Sequence, residues 1–220
     1  MHDVIENDNW YLLGITIKHG QSIHKVPPMH ALAQLSPSPF ATYVLAEAMP
    51  QDASSLAQLH REVRVATDYE YLPDYTEAAV AEGYFDRFWV GYFKPDRSED
   101  TVIKAVYAGD AVAFVRFGVI IPPPEIAAHA TQKWGELHQI YIRPEHQNRG
   151  LGNKLFRAAA RGLAEWGCTD MLVNVLRDNA NARGFYRHQG GRHVTSIVEK
   201  NVRNGIVFDI PCALYAFDLT

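Results

Sequence analysis

A polar loop in the second half of the chain has the residue types of an anion-binding site. In the stretch RPEHQNRGLGNKLF, residues 143–156, Gln147, Gly150 and Gly152 come directly before a helical pattern. Two glycines this close together let the chain bend sharply and bring its backbone near a ligand. The first N–H groups of a helix are unpaired and lie at the positive end of its dipole. The loop is therefore predicted to bind an anion.

Three kinds of phosphate loop compete for this stretch. The P-loop pattern G-x-x-x-x-G-K-[ST] fits no window of the sequence. The dinucleotide fingerprint G-x-G-x-x-G fails because Leu155 stands at its third glycine position, and the loop lies deep in the chain after a predicted hairpin. The pattern Q/R-x-x-G-x-G/A fits residues 147–152 at every fixed position. Taken alone, this short pattern is also compatible with a plain strand-to-helix turn.

A second motif gives the loop a context. The stretch ELHQIYIRPEHQNRGLGNKL, residues 136–155, resembles the central motif of the GNAT superfamily of acyl-coenzyme A N-acyltransferases. Residues 179–186, NANARGFY, resemble the next motif of that family, N-x-x-A-x-x-F-Y. The predicted order of elements also fits the family from about residue 41 onwards. The resemblance therefore predicts an N-acetyltransferase domain over residues 41–220 and an N-terminal extension over residues 1–40.

This resemblance implies that acetyl-coenzyme A is the cosubstrate. Its pyrophosphate would bind the N–H groups at the helix start, with Gln147 bracing the loop or contacting phosphate. Its pantetheine arm would pair with the backbone of the preceding strand. The cofactor-binding residues expected on this ground are Ile140, Tyr141, Ile142, Gln147, Asn148, Arg149, Gly150, Leu151, Gly152, Asn153, Asn179 and Ala182.

Acetyl transfer to an amine needs a neutral amine, a stabilised thioester oxygen and a proton for the leaving thiolate. Tyr186 matches the family tyrosine near the coenzyme A sulfur and is the expected acid. Glu136 and His138 share one face of a strand by alternation. Family members carry a glutamate or histidines at the matching positions, so both are candidate bases. The alternative interpretation makes Tyr186 a packing residue, Glu136 a solvated residue and His138 a core histidine.

The acceptor end of the site is less specified by the sequence. In the family, the first two helices and their loop line the acceptor site, and the corresponding loop here is TDYEYLPDY, residues 67–75. Its carboxylates and tyrosines could attract and stack on a cationic amine, or the loop could be solvated with its tyrosines packed at one edge. Asn174, in an otherwise apolar strand, could reach the cofactor or face a buried water. The acceptor is expected to be a primary amine of a small molecule or peptide.

The elements that position these residues can be predicted from periodicity. Strands are predicted over residues 41–48, 136–142 and 171–176, with hairpins around Gly109-Asp110 and Asn204-Gly205. Helices are predicted over residues 52–68, 76–92, 152–166 and 181–189. The predicted fold class is α/β (α+β mixed), with a central mixed, mostly antiparallel sheet and helices packed on it. The family resemblance adds that the sheet is splayed in the middle and has helices on both faces.

Composition limits the other classes of function. The chain is 47% hydrophobic and carries a net charge of -4, so no broad basic field favours nucleic acid or an anionic membrane. Two cysteines and scattered histidines predict no disulfide framework and no metal site. A cytoplasmic protein is expected, with the extension packed on its own core or on the second subunit of a homodimer. The alternative to a transferase acting by direct attack in a ternary complex is a catalytically silent acyl-coenzyme A binding or sensing module.

Overall fold

The computed structural model describes residues 43–94, 100–122, 126 and 133–220. The extension expected over residues 1–40 lies outside the described residues. The helices are α1 Ala53–Thr67, α2 Pro73–Ala81, α3 Tyr84–Tyr92, α4 Leu151–Glu165 and α5 Ala180–His188. The strands are β1 Val44–Glu47, β2 Thr101–Tyr107, β3 Asp110–Ile120, β4 Trp134–Ile142, β5 Asp170–Leu176, β6 Arg192–Arg203 and β7 Ile206–Asp218. No helix in this part of the chain is long and apolar enough to cross a membrane.

All seven strands join one sheet in the order β1-β2-β3-β4-β5-β7-β6. Neighbouring strands are antiparallel except β4 and β5, which are parallel. These two pair only from Trp134↔Asp170 to Leu137↔Val173, so their carboxyl-terminal halves separate. The mixed, mostly antiparallel sheet predicted from the sequence is therefore confirmed, as is the splay that the family resemblance implied, and the gap between β4 and β5 lies at the centre of the sheet.

Helices cover both faces of this sheet because its central strands are apolar on both sides. On one face, Ile103 and Val115 pack in a core with α4 and α5. On the other face, Val102 and Phe114 pack against α1 and α3. Adjacent residues of one strand thus belong to different cores, as the alternation of a strand requires. Each fully buried large apolar side chain contributes about 1.5–3 kcal/mol to this packing, which makes β2 and β3 a rigid support for β4.

The single helix predicted over residues 76–92 is wrong, because the structure has two helices there. Helix α2 already begins at Pro73, whose fixed φ and missing N–H suit the first helical turn. It ends before Gly83, which has a φ of +66° and lies in the left-handed region. The apolar period continues through Phe85 and Trp89 into α3, so periodicity alone does not reveal the break.

Candidate active site

The predicted anion loop follows β4 and ends in the first turn of α4. Asn148 and Gly150 adopt φ values of +56° and +75°, which Gly reaches without strain and Asn tolerates. Gly150 is the N-cap of α4, so no side chain caps this helix. Residues 147–150 are exposed. The loop therefore presents the N–H groups of a first helical turn to solvent, where an anion can reach them.

The two motif glycines are required for different structural reasons. Gly150 is needed for its left-handed backbone, whereas Gly152 lies inside the first turn of α4. A Cβ at Gly152 would lie 3.3 Å from the Phe185 ring and 3.5 Å from Ile142 Cδ1. Gln147 Nε2 donates a hydrogen bond to the Ile142 carbonyl at 3.0 Å, so its side chain braces the loop against the end of β4. These contacts hold the loop, β4 and α5 together.

Helix α5 positions the candidate acid. The Asn179 side chain caps it by accepting a hydrogen bond from Ala182 N at 2.9 Å. Arg183 fixes the same turn through hydrogen bonds to the Tyr215 hydroxyl and the Arg177 carbonyl. Tyr186 follows, only 5% exposed, and its burial raises the pKa of the phenol. The phenol therefore keeps its proton at neutral pH, as a proton donor must.

A cavity of about 170 Å³ occupies the gap where β4 and β5 separate. It brings together the three predicted catalytic residues, Glu136, His138 and Tyr186. Of the predicted cofactor residues, four line it, namely Ile140, Tyr141, Asn179 and Ala182. The remaining lining residues are Arg64, Asp68, Leu72, Gln139, Asn174, Val175, Leu176, Glu199, Ile210 and Cys212. The other predicted cofactor residues, Ile142 and those from Gln147 to Asn153, lie outside this cavity at the end of β4 and the start of α4.

His138 lies between two carboxylates. Its Nδ1 is 3.4 Å from Glu136 Oε2, and its Nε2 is 3.4 Å from Asp100 Oδ1. Asp100 is held in turn by Arg116, whose Nη1 donates to Asp100 Oδ2 at 2.8 Å. The His138 and Asp100 side chains are 4% and 2% exposed, whereas that of Glu136 is 19% exposed. Glu136 is therefore the member of this row that is most accessible to a ligand in the cavity.

Opposing effects act on the pKa of His138. Burial lowers it and the Arg116 charge lowers it further, but the Glu136 and Asp100 carboxylates raise it, and the result is a raised pKa. Gly118 on β3 makes this row possible, since a Cβ there would lie 2.0 Å from Asp100 Oδ1 and 3.2 Å from His138 Nε2. A histidine with a raised pKa next to an accessible carboxylate is a suitable proton acceptor.

A further carboxylate, Glu199 on β6, lines the same cavity. It is 9% exposed and accepts a hydrogen bond from the Asn174 amide. Burial raises the pKa of the Glu199 carboxyl to about 7, the neighbouring Glu136 adds to the rise, and the Asn174 amide opposes it. Asn174 thus contacts a carboxylate, which neither sequence interpretation of Asn174 had included.

The acceptor loop contributes to the cavity through two of its residues. Asp68 and Leu72 line it, and Asp68 Oδ2 pairs with Arg64 Nε at 2.7 Å. Tyr69 is 45% exposed and donates to Glu77, while Tyr75 is 2% exposed and packs beneath the loop. The interpretation of this loop as a row of tyrosines stacking on the acceptor is therefore not supported at Tyr69 or Tyr75.

The two cysteines are buried and free. Cys212 lines the cavity, but burial raises the pKa of its thiol to about 12. It is thus a thiol rather than a thiolate at neutral pH, which makes it a poor nucleophile. Across the described ranges, no group of three or more His, Cys, Asp or Glu side chains is arranged to hold a metal ion.

Sequence reasoning missed Asp100, Arg116 and Glu199. Asp100 lies one residue before β2, and the pairing of β3 with both β2 and β4 brings it to His138. The signal for Arg116 was its charge within the otherwise apolar strand β3, where it is 4% exposed. Glu199 is a buried position that alternates with exposed residues on β6 in the structure, but its charge gave no sequence signal that it faces inward.

Known proteins match both the sequence and the fold. A model of the acetyltransferase (GNAT) family matches residues 63–190. An N-acetyltransferase of Archaeoglobus fulgidus, named as uncharacterized, is 31% identical over 137 residues, which cover 61% of this chain and 86% of that protein. Another, from the pepI 3′ region of Lactobacillus delbrueckii subsp. lactis, is 38% identical over 55 residues, 25% of this chain. The chain spans only 32% of the length of that second relative.

Among solved structures, the PaiA N-acetyltransferase of Thermoplasma acidophilum in complex with coenzyme A has the same fold. The two chains superpose with a TM-score of 0.57 at 17% sequence identity, over 78% of this chain and 98% of the other. The family model covers more than half of this chain, and the archaeal relative is matched over most of its length. The chain therefore belongs to the GNAT family of acetyltransferases.

Proposed function

We propose that the protein is an acetyl-coenzyme A dependent N-acetyltransferase that transfers the acetyl group to a primary amine of a small molecule or peptide. The observation that carries the proposal is the cavity between the splayed strands, which is shared by Glu136, His138 and Tyr186. A base and an acid thus face one space, next to a loop suited to an anion. That arrangement favours direct attack in a ternary complex over an acyl-enzyme, because the cavity cysteine is held as a thiol.

The residues around the loop fit coenzyme A. Its pyrophosphate would be held by the N–H groups of the first turn of α4, since Gly150 leaves that turn without a side-chain cap. Its pantetheine arm would pair with β4 from Ile140 to Ile142, where the strand has lost its pairing with β5. When bound, acetyl-coenzyme A supplies an activated thioester. The protein's part is to orient it, to exclude water and to move two protons.

The amine must first lose a proton. A lysine-like ammonium with a pKa near 10.4 costs roughly 4–5 kcal/mol to deprotonate at pH 7. Glu136 is the accessible end of the row that continues through His138 to Asp100. The proton passes from the amine to Glu136 and on to Nδ1 of His138, while Asp100 holds the opposite nitrogen. The raised pKa of His138 makes it a better acceptor than a free histidine.

The leaving thiolate must gain a proton. Tyr186 lines the same cavity as Ile140 and Tyr141 and stays protonated, because burial raises its pKa. A phenol in this place donates to the sulfur as the C–S bond breaks. The backbone N–H groups of the unpaired half of β4 are the donors available to the thioester oxygen.

The cofactor step is tested by thermal unfolding. Acetyl-coenzyme A at millimolar concentration should raise the melting temperature of the protein. Gly150→Val should abolish that rise, because Val is strained at a φ of +75° and the loop must change shape. Gly167→Val is the matched control, since Gly167 follows the other end of α4 with a φ of +80° and open space around it. It should lose similar stability and keep the cofactor-induced rise.

The transfer step is tested by following thiol release with a panel of amines, amino acids and peptides. An acetyltransferase releases coenzyme A only when an acceptor is present. An unchanged melting temperature for the parent protein would rule out the cofactor. Tight cofactor binding with no acceptor found would instead favour a binding or sensing module.

A further inference from the structure

Glu199 on β6 is a buried carboxylate. It accepts one hydrogen bond, from the neutral amide of Asn174. None of the Lys, Arg and His residues that the structure describes forms an ion pair with it. Buried carboxylates are normally paired with a cation or fully hydrogen-bonded, because burial of a bare charge is costly. This energetically unfavourable carboxylate lines the candidate active site.

The other charged groups around the cavity already have partners. Asp68 on α1 pairs with Arg64, and Glu136 on β4 lies beside His138. The titratable neighbours of Glu199 include Glu136 itself, Cys212 on β7, a neutral thiol, and Tyr75 on α2, whose phenol has a raised pKa. Arg64 on α1 also lines the cavity but is paired with Asp68, and no cation among the described residues acts on the ionisation of Glu199. The cavity therefore has an excess of negative charge on its β6 side.

We propose that Glu199 binds the ammonium group of the acceptor, and that the acceptor is an alkylamine with no carboxylate near its reacting end. This inference rests on the proposed transferase function and adds the class of acceptor to it. The Glu199 carboxylate accepts N–H hydrogen bonds from the ammonium, with Asn174 holding it in position. Glu136 lies close enough to Glu199 to affect its ionisation, so the proton leaves from a nitrogen that already lies beside Glu136.

The volume and charge of the cavity define the acceptor further. About 170 Å³ accommodates an alkyl arm of a few carbon atoms and its ammonium, but not a bulky group. A carboxylate on the same arm would be repelled by both Glu136 and Glu199. A zwitterionic amino acid with its acid close to the reacting amine should therefore be rejected, whereas a mono- or diamine should be accepted.

The test compares three four-carbon acceptors that differ only in the distal group: 1,4-diaminobutane, butylamine and 4-aminobutanoate. Thiol release from acetyl-coenzyme A is measured at pH 8, where Glu199 is ionised. The parent should acetylate the two alkylamines in preference to 4-aminobutanoate. Glu199→Gln keeps the size of the side chain but removes its charge. It should raise KM for 1,4-diaminobutane on the order of 10-fold or more and reduce the preference against 4-aminobutanoate.

Glu165→Gln is the matched control, because the Glu165 side chain is 52% exposed on α4, pairs with Arg161 and lies outside the cavity lining. It should leave every KM unchanged. The melting-temperature rise with acetyl-coenzyme A should persist in both variants, which shows that they are folded and bind the cofactor. If Glu199→Gln does not fold, Glu199→Asp replaces it, and its shorter carboxylate should also raise KM for 1,4-diaminobutane.

The remaining outcomes separate the two proposals. Equal amine KM values in the parent and Glu199→Gln would overturn the role of Glu199 while leaving the transferase intact. A parent that prefers 4-aminobutanoate, or that binds the cofactor but acetylates none of the three probes, would overturn the alkylamine class. A parent whose melting temperature does not respond to acetyl-coenzyme A would remove the proposed function itself.

Discussion

At the scale of single residues, burial and neighbouring charges set the pKa values of the two candidate catalytic groups in different ways. Tyr186 is buried with no charge to lower its pKa, so it keeps its proton. His138 is as deeply buried, but two carboxylates raise its pKa against the effect of burial. One group is thus suited to donate a proton and the other to accept one. This separation of acid and base is what a two-proton reaction needs.

Tyr186→Phe tests the acid. The substitution keeps the ring and its packing but removes the proton, so turnover should fall on the order of 10²-fold if proton transfer is limiting. The melting-temperature rise with acetyl-coenzyme A should hardly change, because the phenol acts only during reaction. Tyr69→Phe is a control, since Tyr69 is 45% exposed and outside the cavity lining. Turnover equal to that of the parent at every pH would contradict the acid role.

Asp100→Asn tests the proton-accepting row. Asp100 raises the pKa of His138, so its neutralisation should lower that pKa. Activity that needs the deprotonated imidazole then appears at lower pH, and the alkaline-rising limb of the rate profile should move to lower pH. Glu136→Gln should move the limb in the same direction and also lower turnover, because it removes the group that contacts the amine. A limb that stays in place in both variants would show that His138 does not receive the proton.

At the scale of the elements, the sequence predicted what depends on local pattern. The alternation in β4 correctly placed Glu136 and His138 on one face, and the pattern before α4 identified its start. The row with Asp100 and Arg116 depends on the pairing of β3 with both its neighbours. Glu199 reaches the cavity only because β7 lies between β5 and β6. Contacts between strands distant in the chain carry no local signal, so those residues could not be predicted.

Gly118→Ala tests how closely β3 must approach this row. The added Cβ would lie 2.0 Å from Asp100 Oδ1, so the Asp100 carboxylate has to move away from His138. The variant should lose turnover and shift the rate profile as Asp100→Asn does, while the cofactor-induced rise in melting temperature remains. Because both changes act on one contact, the double variant should be little worse than either single one. Fully additive losses of turnover in the double variant would mean that Gly118 does not act through Asp100.

At the scale of the whole molecule, the core between α1 and the sheet contains a buried histidine that affects the stability of the protein. His60 on α1 is fully buried, with ring centroids 4.8 Å from Phe85 and 4.9 Å from Tyr141. Neither of its ring nitrogens has a hydrogen-bond partner among the described residues. Burial lowers the pKa of His60 well below its ordinary value, and the charges of Arg64 and Arg116 lower it further. The fold thus keeps this imidazole neutral.

A neutral His60 should make the stability of the protein depend on pH. In the unfolded chain the imidazole binds a proton below about pH 6.5, whereas in the folded protein it does not. Its contribution to stability is therefore complete above pH 6.5 and is lost as the pH falls towards the folded pKa, at up to about 1.4 kcal/mol per pH unit. The contribution of Glu199 depends on pH in the opposite direction, because its folded pKa of about 7 lies above its ordinary value of 4.5. Its contribution is present below pH 4.5 and is lost as the pH rises to 7.

His60→Leu tests the contribution of His60 to the pH dependence of stability. Leucine has no ionisable group and needs no hydrogen bonds in the aromatic core, so the variant should be at least as stable as the parent at pH 8. Between pH 6.5 and 5 its free energy of unfolding should fall less steeply than that of the parent, measured by urea denaturation at each pH. Glu199→Gln serves as the comparison, because it should stabilise the protein most at pH 8 and least near pH 4.5. Parallel pH curves for His60→Leu and the parent would mean that the imidazole is protonated inside the fold, which would require a partner for its nitrogens.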